Sequence, residues 1–189
     1  MFKELFNTAM SLIFKPTEAW MKLRNEQYED NEKFLSRFVY PFIGLVALTA
    51  FIGIFFSQKE FNLQLALKSS ILSLTSLLGG FFLASYILNE VWNRYFRYEK
   101  DFKLCQRFVG YASVVMFALN IVLSLLPDFF YLKICLLYTF YIVWEGAYPY
   151  MKIDENKQFK FSLIATALII LVPLLIEFLL KMLMPGLRI

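Results

Sequence analysis

Three glutamates inside or beside long apolar stretches are the residues of this sequence best placed to do chemistry. Glu145 lies in IVWEGAYPY, Glu90 lies in LNEVWNRYF, and Glu177 lies late in the last apolar stretch. A carboxylate held within a membrane is costly, so it suggests an ion or proton site by default. For Glu145 the competing interpretation is a structural salt bridge with Arg107 or Lys152, expected at the same membrane level. Glu90 has the same two interpretations.

Enzymatic chemistry is disfavoured by the residue types that are missing. The chain has no histidine, which excludes Ser-His dyads, imidazole bases and histidine-bearing zinc sites. Cys105 and Cys135 lie thirty positions apart and lack metal or redox spacing. No glycine-rich nucleotide-binding motif occurs. We therefore expect no catalytic residues, no metal and no cofactor, although a mechanism that uses glutamates alone stays open.

The composition predicts a membrane protein. Hydrophobic residues make up 59% of the chain, and the mean hydropathy is +0.57. A soluble domain is typically about half apolar. The net charge of +4 is therefore read as a signal of membrane topology, and no nucleic-acid partner is expected. Lys3, Glu4 and Lys15 interrupt the N-terminal apolar residues, which is unlike a secretory signal peptide.

Five stretches are long and apolar enough to cross a membrane, since a spanning helix needs about 20 residues. They comprise residues 38–56, 65–88, 108–126, 129–148 and 161–184. Helices are expected because open strand edges cannot be satisfied in hydrocarbon. The predicted fold class is all-α: a polytopic membrane protein with five transmembrane helices and a short amphipathic N-terminal segment, residues 1–189 forming a single domain.

The first 37 residues divide at Pro16, and before it polar and apolar side chains fall on opposite sides of a helix. Pro16 predicts the start of a second short helix, because proline is favoured in a first helical turn. The first helix would either lie in the headgroup plane or pack against the protein's own spans. Trp20 is predicted to be an interfacial anchor.

Basic residues are distributed unevenly along the chain. Fourteen of the nineteen lysines and arginines lie in three segments. These are the segment before the first span, the connection between the second and third spans, and the connection between the fourth and fifth spans. The positive-inside rule therefore predicts a cytoplasmic N-terminus and an external C-terminus in the cytoplasmic (inner) membrane. The basic cytoplasmic face is expected to attract anionic lipid headgroups.

Small and polar residues inside the spans predict helix packing. Asn120 is expected to donate a hydrogen bond to another helix, and Glu177 with Lys181 has the favoured spacing of a helical ion pair. The second span carries a narrow face of small residues, which favours internal packing or homo-oligomerisation. Its main members are Ser73, Ser76, Gly80 and Ala84.

Two short segments carry a resemblance to a known family. In FKLCQRFVGYAS a basic loop enters the third span through Gly110 and Tyr111, and its lysine and arginine are expected at the headgroups. IFKPTEAWMKLRNE has Pro16 and Trp20 in a Pro-x-x-x-Trp pattern. Their order and spacing resemble the Yip family of Ypt/Rab-interacting membrane proteins, in its compact bacterial type. Family members often have proline shortly after the Gly-Tyr step, and this chain has none there.

The resemblance implies a five-span fold with a cytoplasmic start and an external end, and it implies no specific activity. With so short an N-terminal segment, Rab binding is not carried over. The leading hypothesis is a non-enzymatic membrane protein that organises lipids or recruits membrane-protein partners, including a second copy of itself. The alternative is a small transporter or channel that uses Glu145 and Glu90.

Overall fold

The computed structural model describes residues 2–25, 30–57 and 62–183, and every regular element in these ranges is helical. The predicted all-α fold is therefore confirmed. In chain order the elements are α1 (Phe2–Phe14), α2 (Pro16–Asn25), α3 (Asn31–Phe34), a π-helical turn (Leu35–Val39), α4 (Tyr40–Ser57), α5 (Leu63–Arg94), α6 (Phe102–Ala112), α7 (Val114–Leu125), a 3₁₀ helix (Pro127–Leu137), α8 (Tyr138–Ala147) and α9 (Glu155–Leu183).

Four helices of the described chain are long and apolar enough to cross a membrane, and the bent pair α6–α7 makes a fifth if it counts as one span. These helices overlap the five predicted stretches, so a polytopic membrane protein is confirmed. The first spanning helix begins at Asn31, because the Asp30 carboxylate caps it there by accepting from the backbone amide of Glu32. The predicted stretch, residues 38–56, did not include this polar beginning of the helix.

A bend of 41° separates α6 from α7 and falls at Ser113. The Ser113 hydroxyl donates to the Val109 carbonyl one turn back at 2.7 Å. A serine bonded in this way tends to bend its own helix. The third predicted span is therefore broken directly after the Gly-Tyr-Ala step, and the break needs no proline.

The fourth predicted span has an irregular first half. Pro127 begins the 3₁₀ helix two residues after α7 ends, which confirms a tight connection between the third and fourth spans. Phe129 departs from helical backbone angles, and a regular α-helix starts only at Tyr138. Because 3₁₀ turns rarely run so long, this half is the least regular part of the predicted spans.

The N-terminal helices pack against the protein's own spans, as one of the two interpretations of the sequence predicted. Leu12 of α1 and Trp20 of α2 are fully buried, whereas Phe6 and Phe14 lie exposed on the opposite side of α1. The prediction that Trp20 is an interfacial anchor is therefore wrong. The indole is enclosed because its N–H donates to the Ile142 carbonyl and its ring lies against Gly146 inside the bundle.

The small-residue face of α5 packs internally at its centre. A Cβ atom added to Gly80 would lie 2.6 Å from Cγ of Pro173, a buried residue in the middle of α9. Ser76 and Ala84 are buried on the same face, and Ser73 is half-buried. The ion pair of Glu177 with Lys181 is confirmed at 2.7 Å. A second close approach, which the sequence did not predict, brings Gly53 of α4 against the Ser124 carbonyl of α7.

Candidate functional site at the basic end of the bundle

One end of the bundle carries the basic segments, and we call it the basic end. It consists of α1, α2, α3, the π-helical turn, the connection 95–101, α6, the connection 148–154 and the first two turns of α9. At its centre Trp20 packs on three rings, which with it form the aromatic cluster. The ring centroids of Phe108, Tyr150 and Tyr111 lie 5.1, 5.0 and 6.2 Å from that of Trp20.

Gly146 creates space for this cluster, and Gly110 creates space for Phe34, whose ring packs on Tyr111. A Cβ atom at Gly146 would lie 2.5 Å from Cε2 of Trp20, and a Cβ atom at Gly110 would lie 2.5 Å from Cζ of Phe34. The indole N–H of Trp20 donates to the Ile142 carbonyl at 2.9 Å. The motif residues Trp20, Gly110 and Tyr111 therefore meet in one packed unit.

Pro16 is buried at the start of α2 and sets the turn between α1 and α2. The hydroxyl of Tyr138 donates to the Ile13 carbonyl just before this turn, at 2.8 Å. Gly146 and Ile142 were missed by the sequence reasoning. The only local signal was a glycine beside Glu145, and no spacing rule links it to a tryptophan more than a hundred residues earlier.

Arg107 lies inside the protein and not at the headgroups, so that expectation was wrong. Its side chain is 8% exposed and hydrogen-bonds the Tyr150 hydroxyl, and its Nε approaches Oδ1 of Asn31 at 3.4 Å. Asn31 in turn donates to Oε1 of Gln106 at 2.6 Å. Burial raises the pKa of the Tyr150 hydroxyl, more than the nearby Arg107 lowers it, so Tyr150 stays neutral.

Glu145 does not form the predicted salt bridge. Its carboxylate accepts a hydrogen bond from the Thr17 hydroxyl at 2.6 Å, and no ion pair with Arg107 or Lys152 occurs among the described residues. The reason is that α2 docks beside α8 and supplies the donor, while Arg107 is used by Tyr150 and Asn31. Lys152 is exposed in a left-handed turn with φ of 56°.

Glu90 forms a surface ion-pair network. Its side chain is 20% exposed and accepts from Nε of Arg94 at 2.9 Å and from the Lys100 ammonium group. Neither partner is shared with Glu145. The two carboxylates that could serve transport or catalysis are thus held by different groups.

Asn120 does not bridge two helices. Its amide donates to the Met116 carbonyl of the same helix at 2.8 Å, so the predicted interhelical bond was wrong. The carbonyl one turn back lies within reach of a short amide side chain and satisfies it locally.

The two connections of the basic end are tied to each other by Tyr98 and Asp154. The Tyr98 hydroxyl donates to Oδ2 of Asp154 at 3.0 Å, and Lys157 pairs with the same carboxylate at 3.2 Å. These two contacts, Lys157 first, lower the pKa of the Asp154 carboxyl. Trp92 stacks on the Tyr98 ring at 4.4 Å and so orients the hydroxyl.

Tyr98→Phe should loosen this tie while leaving the bundle intact. The phenylalanine keeps the stacking on Trp92 but loses the hydroxyl, which also accepts from the Asp154 backbone amide at 3.3 Å, so exchange of that amide should quicken roughly two- to fivefold. Because the pKa of Asp154 is lowered by folding, its contribution is present above its ordinary pKa and is lost as pH falls through the lowered value. Wild-type exchange should therefore approach that of the variant in acid. Tyr95→Phe, at an exposed neighbouring ring, is the control, and equal exchange in both variants would contradict the tie.

Comparison with known families gives a match to the model of the Yip1 domain over residues 10–176. This range starts within α1 and ends within α9, so it includes both segments in which the sequence resembles the Yip family. No curated protein and no solved structure matches the chain.

Proposed function

Since the chain belongs to the Yip1 domain family, we propose that it is a non-enzymatic protein of the cytoplasmic membrane whose basic end gathers anionic lipids. The excess of positive charge favours a cytoplasmic location for this end and an external C-terminus. The gathered lipids and the exposed cations would together form the surface to which membrane-protein partners are recruited. Membership of the family gives an integral membrane protein, and the lipid role is our own proposal.

A set of exposed cations without carboxylate partners is the observation that supports the proposal. Their side chains are exposed at the basic end, and none forms an ion pair with another described residue. They are Lys3, Lys22, Arg24, Lys33, Arg37, Arg97, Lys103, Lys152 and Lys160. A basic residue near an anionic membrane surface contributes roughly 1 kcal/mol of attraction. Charges left unpaired at the end of a membrane bundle favour phosphate headgroups as their partners.

Reversing three of these charges should strip anionic lipid from the protein. In the variant Arg97→Glu, Lys103→Glu, Lys160→Glu the fraction of anionic lipid that co-purifies in native-lipid discs should fall severalfold, as each reversal removes roughly 1 kcal/mol of attraction. Lys100 and Arg107 are left unchanged, because one pairs with Glu90 and the other is buried.

Lys133→Glu is the matched control, since this exposed lysine lies on the 3₁₀ helix outside the basic end. Its lipid content should equal that of the wild type. If the triple variant retained as much anionic lipid as Lys133→Glu, the proposed function would be refuted.

Transport through Glu145 and Glu90 stays a prediction with less support. Glu145 is bonded to Thr17, and Glu90 is engaged by Arg94 and Lys100. A carboxylate that binds a transported ion must be able to exchange its partner for that ion. Glu145→Gln retains an acceptor for Thr17, so equal solute flux in proteoliposomes would remove the main support for the transport hypothesis.

A further inference from the structure

A cleft of about 340 Å³ opens at the basic end between the N-terminal helices and the start of the first spanning helix. Three cations line it: Lys22 from α2, Lys33 from α3 and Arg37 from the π-helical turn. All three are exposed and form no ion pair with any described residue. One carboxylate, Glu4, also lines the cleft, so positive charge is in excess.

The wall of the same cleft is apolar on the side of α2, α3 and the π-helical turn, whereas α1 lines it with the polar side chains of Asn7, Thr8 and Ser11. Leu23, Phe34 and Phe38 line it and are buried against the bundle. Phe34 and Phe38 both pack on the Tyr111 ring with centroid distances of 4.8 Å, which fixes this wall to the third span. The cleft therefore joins a cationic rim to a rigid hydrophobic surface within one space.

The cleft lies where the first span enters the membrane. Arg37 directly precedes the apolar stretch 38–56, so the cleft is expected at the level of the lipid headgroups. At this level a phosphate can reach the three cations while an acyl chain follows the apolar wall toward hydrocarbon. A soluble anion would use only the rim, and a neutral lipid would leave the rim cations unpaired.

We propose that this cleft is a specific binding site for one anionic phospholipid, with its phosphate held by Lys22, Lys33 and Arg37 and a chain against Leu23, Phe34 and Phe38. This inference rests on the proposed function, but it differs in stoichiometry: the basic surface gathers many exchangeable lipids, whereas the cleft retains one. The site joins α2 to α3, so an occupied cleft would also hold the N-terminal helices against the first span.

The test compares three full-length proteins in discs made of equal parts phosphatidylglycerol and phosphatidylcholine. After extensive detergent washing, native mass spectrometry counts the phosphatidylglycerol molecules that remain bound. The wild type should retain one, and the variant Lys22→Gln, Lys33→Gln, Arg37→Gln should lose it, with affinity lowered roughly ten- to a hundredfold. The variant Arg97→Glu, Lys103→Glu, Lys160→Glu should keep this one lipid even though its total lipid falls.

Two further arms separate the sources of the phosphate and guard against misfolding. Glycerol phosphate at millimolar concentration should not displace the retained lipid, because it lacks the chain that contacts the apolar wall. Displacement by glycerol phosphate would overturn the lipid assignment, as would equal retention of phosphatidylcholine. The glutamine variant alters only exposed side chains, so its thermal unfolding in lipid-free detergent should match the wild type. A glutamine variant that retains its lipid refutes the site and leaves the proposed function standing.

Discussion

Replacing Trp20 with alanine should detach the N-terminal helices from the bundle. The side chain is fully buried, its indole N–H bonds the Ile142 carbonyl, and its ring fills the space that Gly146 leaves. Truncating a buried tryptophan typically costs about 3–5 kcal/mol. Because Trp20 provides much of the buried surface of α2, that loss should fall on the docking of α1 and α2 and spare the apolar spans.

Limited trypsin digestion measures this detachment, since Lys22 and Arg24 lie within α2. Cleavage at these sites should quicken strongly in Trp20→Ala, and thermal unfolding in detergent should begin at a lower temperature. Met21→Ala is the control because Met21 is 56% exposed on the same helix. Trp20→Phe should be intermediate, since it keeps ring packing but loses the hydrogen bond. Trypsin resistance equal to that of Met21→Ala would show that the N-terminal helices are held by other contacts.

The spans were predictable because apolarity is a local property of the sequence. A helix in hydrocarbon must satisfy its backbone internally, so a long apolar stretch dictates its own secondary structure. The break at Ser113 was not predicted, because it depends on a single hydrogen bond from the Ser113 hydroxyl to the Val109 carbonyl. The role of Trp20 was also out of reach, since its partner Ile142 lies 122 positions away along the chain.

The end of the bundle at which these polar residues lie was predicted better than their partners. Glu145 and Arg107 were expected at the same end, and both contact elements of the basic end, yet they bond Thr17 and Tyr150 respectively. Sequence spacing gives the depth of a residue along a helix. It does not give the direction in which neighbouring helices lie, and that direction decides which of several suitable groups becomes the partner.

The two segments that carry the family resemblance supply packing contacts that hold the helices of the basic end together. Trp20 packs on Phe108 and Tyr111, while Gly110 and Tyr111 both contact Phe34, so all three residues contribute to the packing of the basic end. Matching these segments therefore identifies the architecture of the basic end. The cations that face outward from it lie outside the aromatic cluster.

Adding a single methyl group at Gly80 should destabilise the protein more than any other small change in α5. A Cβ atom there would lie 2.6 Å from Cγ and 2.7 Å from Cα of Pro173, and backbone cannot move aside as a flexible side chain can. Overpacking of this kind costs about 1–3 kcal/mol. In a membrane, close packing at small residues is a main source of helix association, so α5 and α9 should separate.

Thermal unfolding of Gly80→Ala in detergent should therefore begin well below that of the wild type. Gly44→Ala is the matched control, because a Cβ atom at Gly44 has nothing within 4 Å, and alanine there should unfold like the wild type. Adding Pro173→Ala to Gly80→Ala should recover only part of the loss, since it removes Cγ but leaves Cα and Cβ, both 2.7 Å from the new methyl group. Equal stability of the two single alanine variants would mean that α5 and α9 do not meet at Gly80. The small-residue face would then be available to a second copy of the chain.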